Sequence, residues 1–220
     1  MKLVYFNLRG LAETSRLLFA INHQEYQDFR YNFSVKDLSK YDFEKPEFDN
    51  DKSNGLLLKS MNKLPYLEVD GNIICQSKAI ERYLAHRFNM MGSTLIESAR
   101  IDSICEAVRD IKDLYQSVRK TPEEEKQQAM DKWFNETLVE RLNLLSNLCD
   151  SDSLDNSYCV GNALSLADVV IYCLVTQFFD NKEGSMNAAS QNKIISSIVE
   201  NISSISAVKE WLNKRPDTIF

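Results

Sequence analysis

Short apolar runs alternate with amphipathic stretches over the first eighty or so residues, and this spacing predicts alternating strands and helices. Strands are predicted at Lys2–Phe6, Tyr26–Tyr31, Leu64–Val69 and Ile73–Cys75, and helices at Leu11–Asn22 and Lys78–Phe88. The sequence Asp70-Gly71-Asn72 between the last two strands is typical of a β-hairpin. This order of elements indicates an α/β unit. The polar stretch Val35–Asn62 interrupts it, and we interpret that stretch as a loop with at most one short helix.

After His86 the pattern changes, and every element that the spacing predicts is helical. Asn89–Ser93 is predicted to be a linker. Helices are predicted at Glu97–Val118, from Thr121 to Leu145, at Leu166–Phe179, at Asn192–Ile202 and in a last segment that ends near Leu212 before Pro216. In the second of these helices Thr121 is the expected N-cap, with Pro122 at the first helical position. The predicted domains are therefore residues 1–86 and 93–220.

The composition is that of an ordinary globular protein, with 220 residues, 44% hydrophobic and 26% charged. The net charge is −6 and there is no basic stripe, so we expect no nucleic acid and no anionic membrane surface as a partner. No apolar run approaches the roughly 18 residues of a membrane span, and the N-terminal run is too short for a signal-peptide core. Five scattered cysteines without a CxxC pair fit reduced thiols and a cytoplasmic location. With two histidines, we expect no metal site.

Tyr5 lies at the end of the first predicted strand, shortly before Gly10 and the next predicted helix. Backbone amides and the helix dipole at such a turn favour an anion, and a phenol can donate a hydrogen bond to it. An aromatic residue in a strand is more often part of the core. Because side chains alternate along a strand, Tyr5 and Phe6 face opposite sides of the sheet. The sequence leaves both interpretations of Tyr5 open.

Two further segments admit a structural and a functional interpretation. Pro65 cannot donate a ladder hydrogen bond, so it indicates either a plain strand start or a cis peptide that exposes the backbone of Leu64 to a ligand. Ser77 is either the cap of a helix that begins at Lys78 or, with Gln76 and the helix N-terminus, a binding site for a carboxylate.

A capping box is predicted in the helical half, within Asn162-Ala163-Leu164-Ser165-Leu166-Ala167-Asp168. Ser165 and Asp168 have the spacing at which each side chain bonds to the other residue's backbone amide. We interpret this motif as a folding element and not as a functional site.

Three segments in this order resemble the cytosolic glutathione S-transferases, most of all their sigma and alpha classes. They are YFNLRGLAE near the N-terminus, KLPYLEVDGNIICQS before the predicted linker and GNALSLADV in the helical half. The resemblance implies the GST fold, an α/β thioredoxin-like N-terminal domain with an all-α helical C-terminal domain, in a homodimer. It also implies glutathione as the co-substrate and a small hydrophobic electrophile as the second substrate.

The resemblance assigns roles to matching residues. Tyr5 matches the catalytic tyrosine. The positions that match glutathione-binding residues are Tyr5, Lys63, Leu64, Pro65, Gln76, Ser77 and Asp110. Lys63 and Leu64 match the contact with the cysteinyl backbone beside a cis-proline, Pro65. Gln76 and Ser77 match the residues that hold the γ-glutamyl group, Asp110 matches an aspartate that reaches the partner subunit's glutathione, and Asp168 matches a structural capping aspartate.

The chain departs from the family pattern at several positions, among them the residues Met61 and Asn62 before the Lys-Leu-Pro segment. Leu11 stands where many sigma and alpha enzymes have an arginine that assists the thiolate, and Arg9 lies two residues too early to replace it. The tryptophan that sigma enzymes place before the third strand has no counterpart. We therefore assign no residue of Val35–Lys59 to the glycyl end of glutathione, for which Lys52 and Lys59 are candidates.

The implied reaction is conjugation, in which a glutathione thiolate stabilised by Tyr5 attacks the electrophile. We expect an apolar wall for the electrophile near Tyr115 and Phe220. A glutathione-dependent isomerase similar to prostaglandin D synthase would use the same thiolate. A non-catalytic ligand-binding protein of the same fold is a third interpretation, which Tyr5 disfavours and Leu11 favours. Chloride-channel-like and glutaredoxin-like relatives are disfavoured because no cysteine stands at the turn after Tyr5.

Overall fold

The computed structural model describes residues 1–37, 42–150 and 158–218, and at residue 37 it describes the backbone alone. The chain forms two compact units. The first contains Met1–Leu84 and the described residues after Lys209, and the second contains Ala85–Lys209. The predicted domain boundaries at residues 86 and 93 stay predictions.

The first unit is built on a four-stranded mixed sheet. Its strands are β1 (Lys2–Phe6), β2 (Gln27–Tyr31), β5 (Tyr66–Val69) and β6 (Asn72–Cys75), in the order β2-β1-β5-β6. β1 pairs with β2 in parallel, and β5 is antiparallel to both β1 and β6. A 3₁₀ turn at Gly10–Ala12 and helix α1 (Glu13–Ile21) connect β1 to β2, and helix α3 (Ser77–Arg87) follows β6.

Side-chain alternation along β1 divides its residues between two faces of the sheet. Val4 belongs to a buried cluster with Tyr31, Phe48 and Leu57, and Phe6 packs against this cluster. Tyr5 therefore projects from the opposite face. The strands predicted for this unit are present, each within two residues of its predicted ends. Their apolar residues form a near-continuous run in β1 and β6 and alternate with polar residues in β2, and both patterns indicate strands.

The stretch predicted to be mostly loop contains a second, two-stranded sheet. Its strands are β3 (Ser34–Asp37) and β4 (Asp42–Glu44), in which Val35 lies opposite Phe43. Helix α2 (Pro46–Ser53) follows and accounts for the one short helix allowed there, and a 3₁₀ turn spans Leu58–Ser60. The prediction of a loop was wrong for β3 and β4, because strands of four and three residues with few apolar positions give almost no period-2 signal.

The second unit is helical. Its α-helices are α4 (Leu95–Arg119), α5 (Glu123–Lys132), α6 (Leu138–Ser146), α7 (Leu166–Cys173), α8 (Lys182–Ser190), α9 (Lys193–Ser204) and the first half of α10 (Ser206–Lys214). Single π-helical segments at Trp133–Thr137 and Leu174–Phe178 follow α5 and α7. Among the described residues, no helix has the length and apolarity needed to cross a membrane.

Two details of the helical prediction were wrong. α5 begins at Glu123, and its N-cap is Pro122 without a side-chain cap hydrogen bond, so Thr121 is not the cap. The extended ψ of 150° at Pro122 keeps that residue outside the helix. Helix α8 was missed because its buried residues are small (Ser185, Ala188 and Ala189) and give a weak hydrophobic period.

The capping box of α7 is confirmed. The Ser165 hydroxyl and backbone amide donate to Asp168 Oδ2 at 2.7 and 2.9 Å. The backbone amide and thiol of Cys159 donate to Asp168 Oδ1 at 2.7 and 2.8 Å. Burial raises the pKa of Asp168, while these hydrogen bonds oppose the rise. Asp168 therefore fixes the start of α7 and the segment at Cys159.

Candidate functional site

The end of β1 brings the Tyr5 phenol against the turn that follows the strand. Tyr5 is 7% exposed, and its Oη accepts a hydrogen bond from the backbone amide of Leu11 at 3.3 Å. Because the amide supplies the hydrogen of this bond, the phenol's own hydrogen remains for another acceptor. Tyr5 is thus built as a hydrogen-bond donor at the end of the strand.

The surroundings of Tyr5 keep its phenol protonated. Burial raises the pKa of Tyr5 above its ordinary value, and the Leu11 amide and the charge of Arg16 oppose that rise. A neutral phenol at physiological pH can stabilise an anion by hydrogen bonding, whereas it cannot act as a base. This protonation state suits the stabilisation of a thiolate.

Gly10 allows the close approach of the turn to Tyr5. Its φ of +39° lies in the left-handed region, and a Cβ added there would stand 2.7 Å from Tyr5 Oη. The predicted helix does not begin directly after this glycine, since Gly10–Ala12 is a 3₁₀ turn and α1 begins at Glu13. The backbone amide that meets Tyr5 therefore belongs to the turn and not to an α-helical N-terminus.

A buried arginine that sequence reasoning missed supports the same turn. Arg16 is 0% exposed, and its Nη1 donates to the carbonyl oxygens of Leu8 at 2.6 Å and Arg9 at 3.4 Å. Its guanidinium carbon lies 5.9 Å from the centre of the Tyr5 ring, within cation–π range. A signal was present, because an arginine followed by Leu17 and Leu18 in an apolar helix is unusual.

The segment before β5 carries the predicted cis-proline. The peptide bond between Leu64 and Pro65 is cis. Pro65 is buried, Leu64 is half-buried and Lys63 is exposed. The leucine side chain packs against the buried cluster around Val4, which leaves its backbone as the group able to meet a ligand.

The segment after β6 holds Gln76 in a left-handed conformation, with φ 73°. Such a conformation costs a non-glycine residue about 1–3 kcal/mol and is concentrated at functional sites. The helix α3 begins at Ser77, so the prediction that Ser77 caps a helix from Lys78 was wrong by one residue. Gln76 immediately precedes the helix, and its carbonyl accepts the amide of Ile80 at 3.0 Å.

Strand register brings these three segments to one edge of the sheet. Val4 lies opposite Tyr66, and Tyr66 lies opposite Cys75. Tyr5 is the residue after Val4, Pro65 is the residue before Tyr66, and Gln76 is the residue after Cys75. Because β5 is antiparallel to both neighbours, all three leave this row in the same direction. The edge combines a phenol, a turn of backbone groups and the N-terminus of α3.

Three other predicted residues lie on different elements of the chain. Lys52 is exposed on α2 and Lys59 is exposed on the following 3₁₀ turn. Asp110 is exposed on α4 in the helical unit. The geometry of the first unit therefore unites the positions around Tyr5, Leu64, Pro65, Gln76 and Ser77 and leaves the role of Asp110 as a prediction.

Tyr115 is a core residue of the helical unit. It is 1% exposed, and its ring lies within 6 Å, centre to centre, of the rings of Trp133, Phe134, Phe178 and Phe179. The expected apolar wall at Tyr115 is thus part of a packed aromatic cluster. Phe220, the other residue expected there, lies outside the described residues.

Comparison with known proteins identifies the class of protein. Residues 1–86 match the glutathione S-transferase N-terminal domain, and residues 109–215 match the glutathione S-transferase C-terminal domain. The chain is 32% identical to glutathione S-transferase 3 of Caenorhabditis elegans over 231 residues, covering 100% of this chain and 98% of the relative. It is 31% identical to hematopoietic prostaglandin D synthase of Gallus gallus over 217 residues, covering 99% and 97%.

Among solved structures, the fold is similar to that of a monomeric glutathione S-transferase from the hookworm Necator americanus. The TM-score is 0.75 at 26% identity, with 100% of this chain and 98% of that chain covered. The chain therefore belongs to the glutathione S-transferase family. It is an enzyme of glutathione S-transferase type with glutathione as its co-substrate, and the predicted thioredoxin-like and all-helical architecture is confirmed.

Proposed function

We propose that this enzyme conjugates reduced glutathione to small hydrophobic electrophiles through a thiolate that Tyr5 stabilises. One observation carries the proposal. The phenol of Tyr5, held by the Leu11 amide, shares one sheet edge with the segments at Pro65 and Gln76. In this arrangement a donor for sulfur lies beside groups suited to a peptide backbone and a carboxylate.

The chemical task is to ionise a thiol near neutral pH. A free thiol has a pKa of about 8.5, and each unit by which a site lowers it corresponds to about 1.4 kcal/mol. The Tyr5 phenol donates a hydrogen bond to the sulfur and so favours the thiolate over the thiol. The thiolate then forms a carbon–sulfur bond with the electrophile. In a substitution the electron pair of the broken bond leaves with the departing group.

The proposed glutathione contacts follow the chain positions. The backbone at Lys63 and Leu64, beside Pro65, meets the cysteinyl backbone of the tripeptide. Gln76, Ser77 and the amides that open α3 receive the γ-glutamyl carboxylate, since a helix N-terminus favours negative charge. Lys52 and Lys59 are the candidate cations for the glycyl carboxylate.

We also propose a cytoplasmic homodimer, in which Asp110 of each subunit reaches the glutathione bound to the other. The exposure of Asp110 on α4 supports this role, because an aspartate serving a partner must lie on the subunit surface. The similar hookworm structure is that of a monomeric enzyme, so a native mass measurement decides between one chain and two.

A second candidate is a glutathione-dependent isomerase that forms prostaglandin D. The 31% identity to a hematopoietic prostaglandin D synthase favours it, and the same thiolate would serve. Parallel assays of chloroarene conjugation and of prostaglandin D formation separate the two activities. A protein that retains glutathione and fails both assays would contradict the proposed conjugation.

The Tyr5→Phe variant tests the proposed function because it deletes the donor and leaves the ring. We expect conjugation of a chloroarene at pH 7 to fall about tenfold for each pKa unit by which the thiol relaxes. Retention on a glutathione matrix should persist, since the backbone contacts of the tripeptide do not involve the phenol. If Tyr5→Phe turned over the chloroarene as fast as the wild type, Tyr5 would not have the proposed role.

A further inference from the structure

Glu13 is a buried carboxylate that joins the C-terminal segment to helix α1 within the first unit. It is 2% exposed at the first position of α1. Its Oε1 accepts from the indole Nε1 of Trp211 at 2.9 Å and from Arg215 Nη1 at 2.5 Å. These partners lie 198 and 202 residues further along the chain.

The other oxygen of Glu13 faces the arginine that supports the Tyr5 turn. Arg16 Nη1 donates to Glu13 Oε2 at 3.4 Å, and the same nitrogen holds the carbonyl oxygens of Leu8 and Arg9. The Leu11 amide at the end of this turn donates to Tyr5 Oη. A continuous series of hydrogen bonds thus runs from the C-terminal segment through Glu13 and Arg16 to the turn at the phenol.

We propose that Trp211 and Arg215 are positioning residues for Tyr5, acting through Glu13 and Arg16 on the turn from Leu8 to Leu11. The inference rests on the proposed function, because it names the residues that hold the thiolate-stabilising phenol in place. None of the four side chains of this series needs to touch glutathione.

Charge balance gives the series its strength. Glu13 and Asp28 carry the negative charges that face Arg16, and Arg30 also bonds to Asp28, at 2.8 Å. When one partner of a buried ion pair is removed, the remaining charge is uncompensated and its neighbours rearrange. Without Arg215, Arg16 would be the one remaining cation paired with Glu13 among the described residues. The guanidinium would then shift towards Glu13 and away from the carbonyl oxygens of the turn.

The test uses Trp211→Phe, which deletes the indole donor, and Arg215→Met, which deletes the charge. We expect kcat/KM for chloroarene conjugation to fall about tenfold or more, as for a slightly misplaced catalytic group. The apparent pKa of the acid limb of the kcat/KM profile should rise by about one unit. Retention on a glutathione matrix should stay unchanged. Arg215→Lys keeps the positive charge but loses the planar guanidinium and its several N–H donors. Its kcat/KM should lie between those of the wild type and Arg215→Met.

Two variants are matched controls. Lys214→Met removes an exposed charge next to Arg215. Trp133→Phe removes an indole in the helical unit whose buried nitrogen has no hydrogen-bond partner among the described residues. Both controls should keep the wild-type pH profile. If Trp211→Phe and Arg215→Lys also keep it while both fold, the inference is overturned.

A second readout separates this inference from the proposed function. Hydrogen exchange of the backbone amides from Leu8 to Ala12 requires no activity, and Trp211→Phe or Arg215→Lys should accelerate it about tenfold relative to the controls. If the wild type had no conjugation activity but the two variants still exchanged faster than the controls, the coupling would be shown and the proposed conjugation refuted. Unchanged exchange would refute the coupling whatever the activity.

Discussion

At the residue scale, the position of the Tyr5 phenol is set mainly by its contacts with the turn from Leu8 to Leu11. The Leu11 amide donates to its oxygen, and Gly10 leaves room for that oxygen, since a Cβ would stand 2.7 Å away. A tyrosine that could equally be a core residue becomes a directed donor through these two contacts. The turn is therefore where a conservative substitution tests the site most sharply.

The Gly10→Ala variant should lose activity beyond its loss of stability. Its φ of +39° disfavours alanine by about 1–2 kcal/mol, and the new Cβ displaces the phenol. We expect a drop of about 1–2 kcal/mol in the free energy of unfolding and, in the conditions where the variant is folded, at least about tenfold lower turnover.

Gly71→Ala is the matched control for this prediction. Gly71 has φ +75°, but a Cβ there meets nothing within 4 Å. In denaturant unfolding the control should lose a similar amount of stability. Its turnover should stay at the wild-type level. Equal turnover in the two alanine variants would contradict the role given to the space at Gly10.

The network around Glu13 and Arg16 marks the limit of what the residues alone predict. The sequence shows that Arg16 lies in an apolar helix, but the partners that make its burial tolerable are Glu13, Asp28 and two backbone carbonyls. The partner of Glu13 at Trp211 is 198 residues away. Neither spacing nor composition carries information about such distant pairs, so only the fold reveals them.

Elements of the chain were predictable in proportion to their apolar period. β1 has its predicted bounds, and α4 differs from its prediction by two residues at most at either end, because both present uninterrupted apolar patterns. β3, β4 and α8 were missed because they are short or bury small side chains. The capping box of α7 was predictable because its signal is local and chemical.

The Ser165→Ala variant tests the structural role of that capping box. Loss of the hydroxyl that bonds to Asp168 should lower the free energy of unfolding by about 1 kcal/mol and leave the turnover of folded enzyme unchanged. Denaturant unfolding followed by helical circular dichroism measures the change. Ser190→Ala, at an exposed helix end, should change stability by less than about 0.5 kcal/mol. Equal losses in both variants would contradict the role of the box.

At the scale of the whole molecule, the residues proposed to bind the glutathione thiol belong to one of the two units. The first holds the residues proposed for the thiol, and its compact set includes the described residues from Glu210 onward. The hydrogen bonds of Trp211 and Arg215 to Glu13 lie within this unit, and no local sequence pattern indicates them.

The most direct test of the central claim is the titration of glutathione bound to the enzyme, followed by the ultraviolet absorbance of its thiolate. The account predicts a thiol pKa at least about one unit below the free value of about 8.5 in the wild type. It predicts a return towards the free value in Tyr5→Phe. A bound thiol that titrates as it does in solution, or identically in the two proteins, would contradict the account.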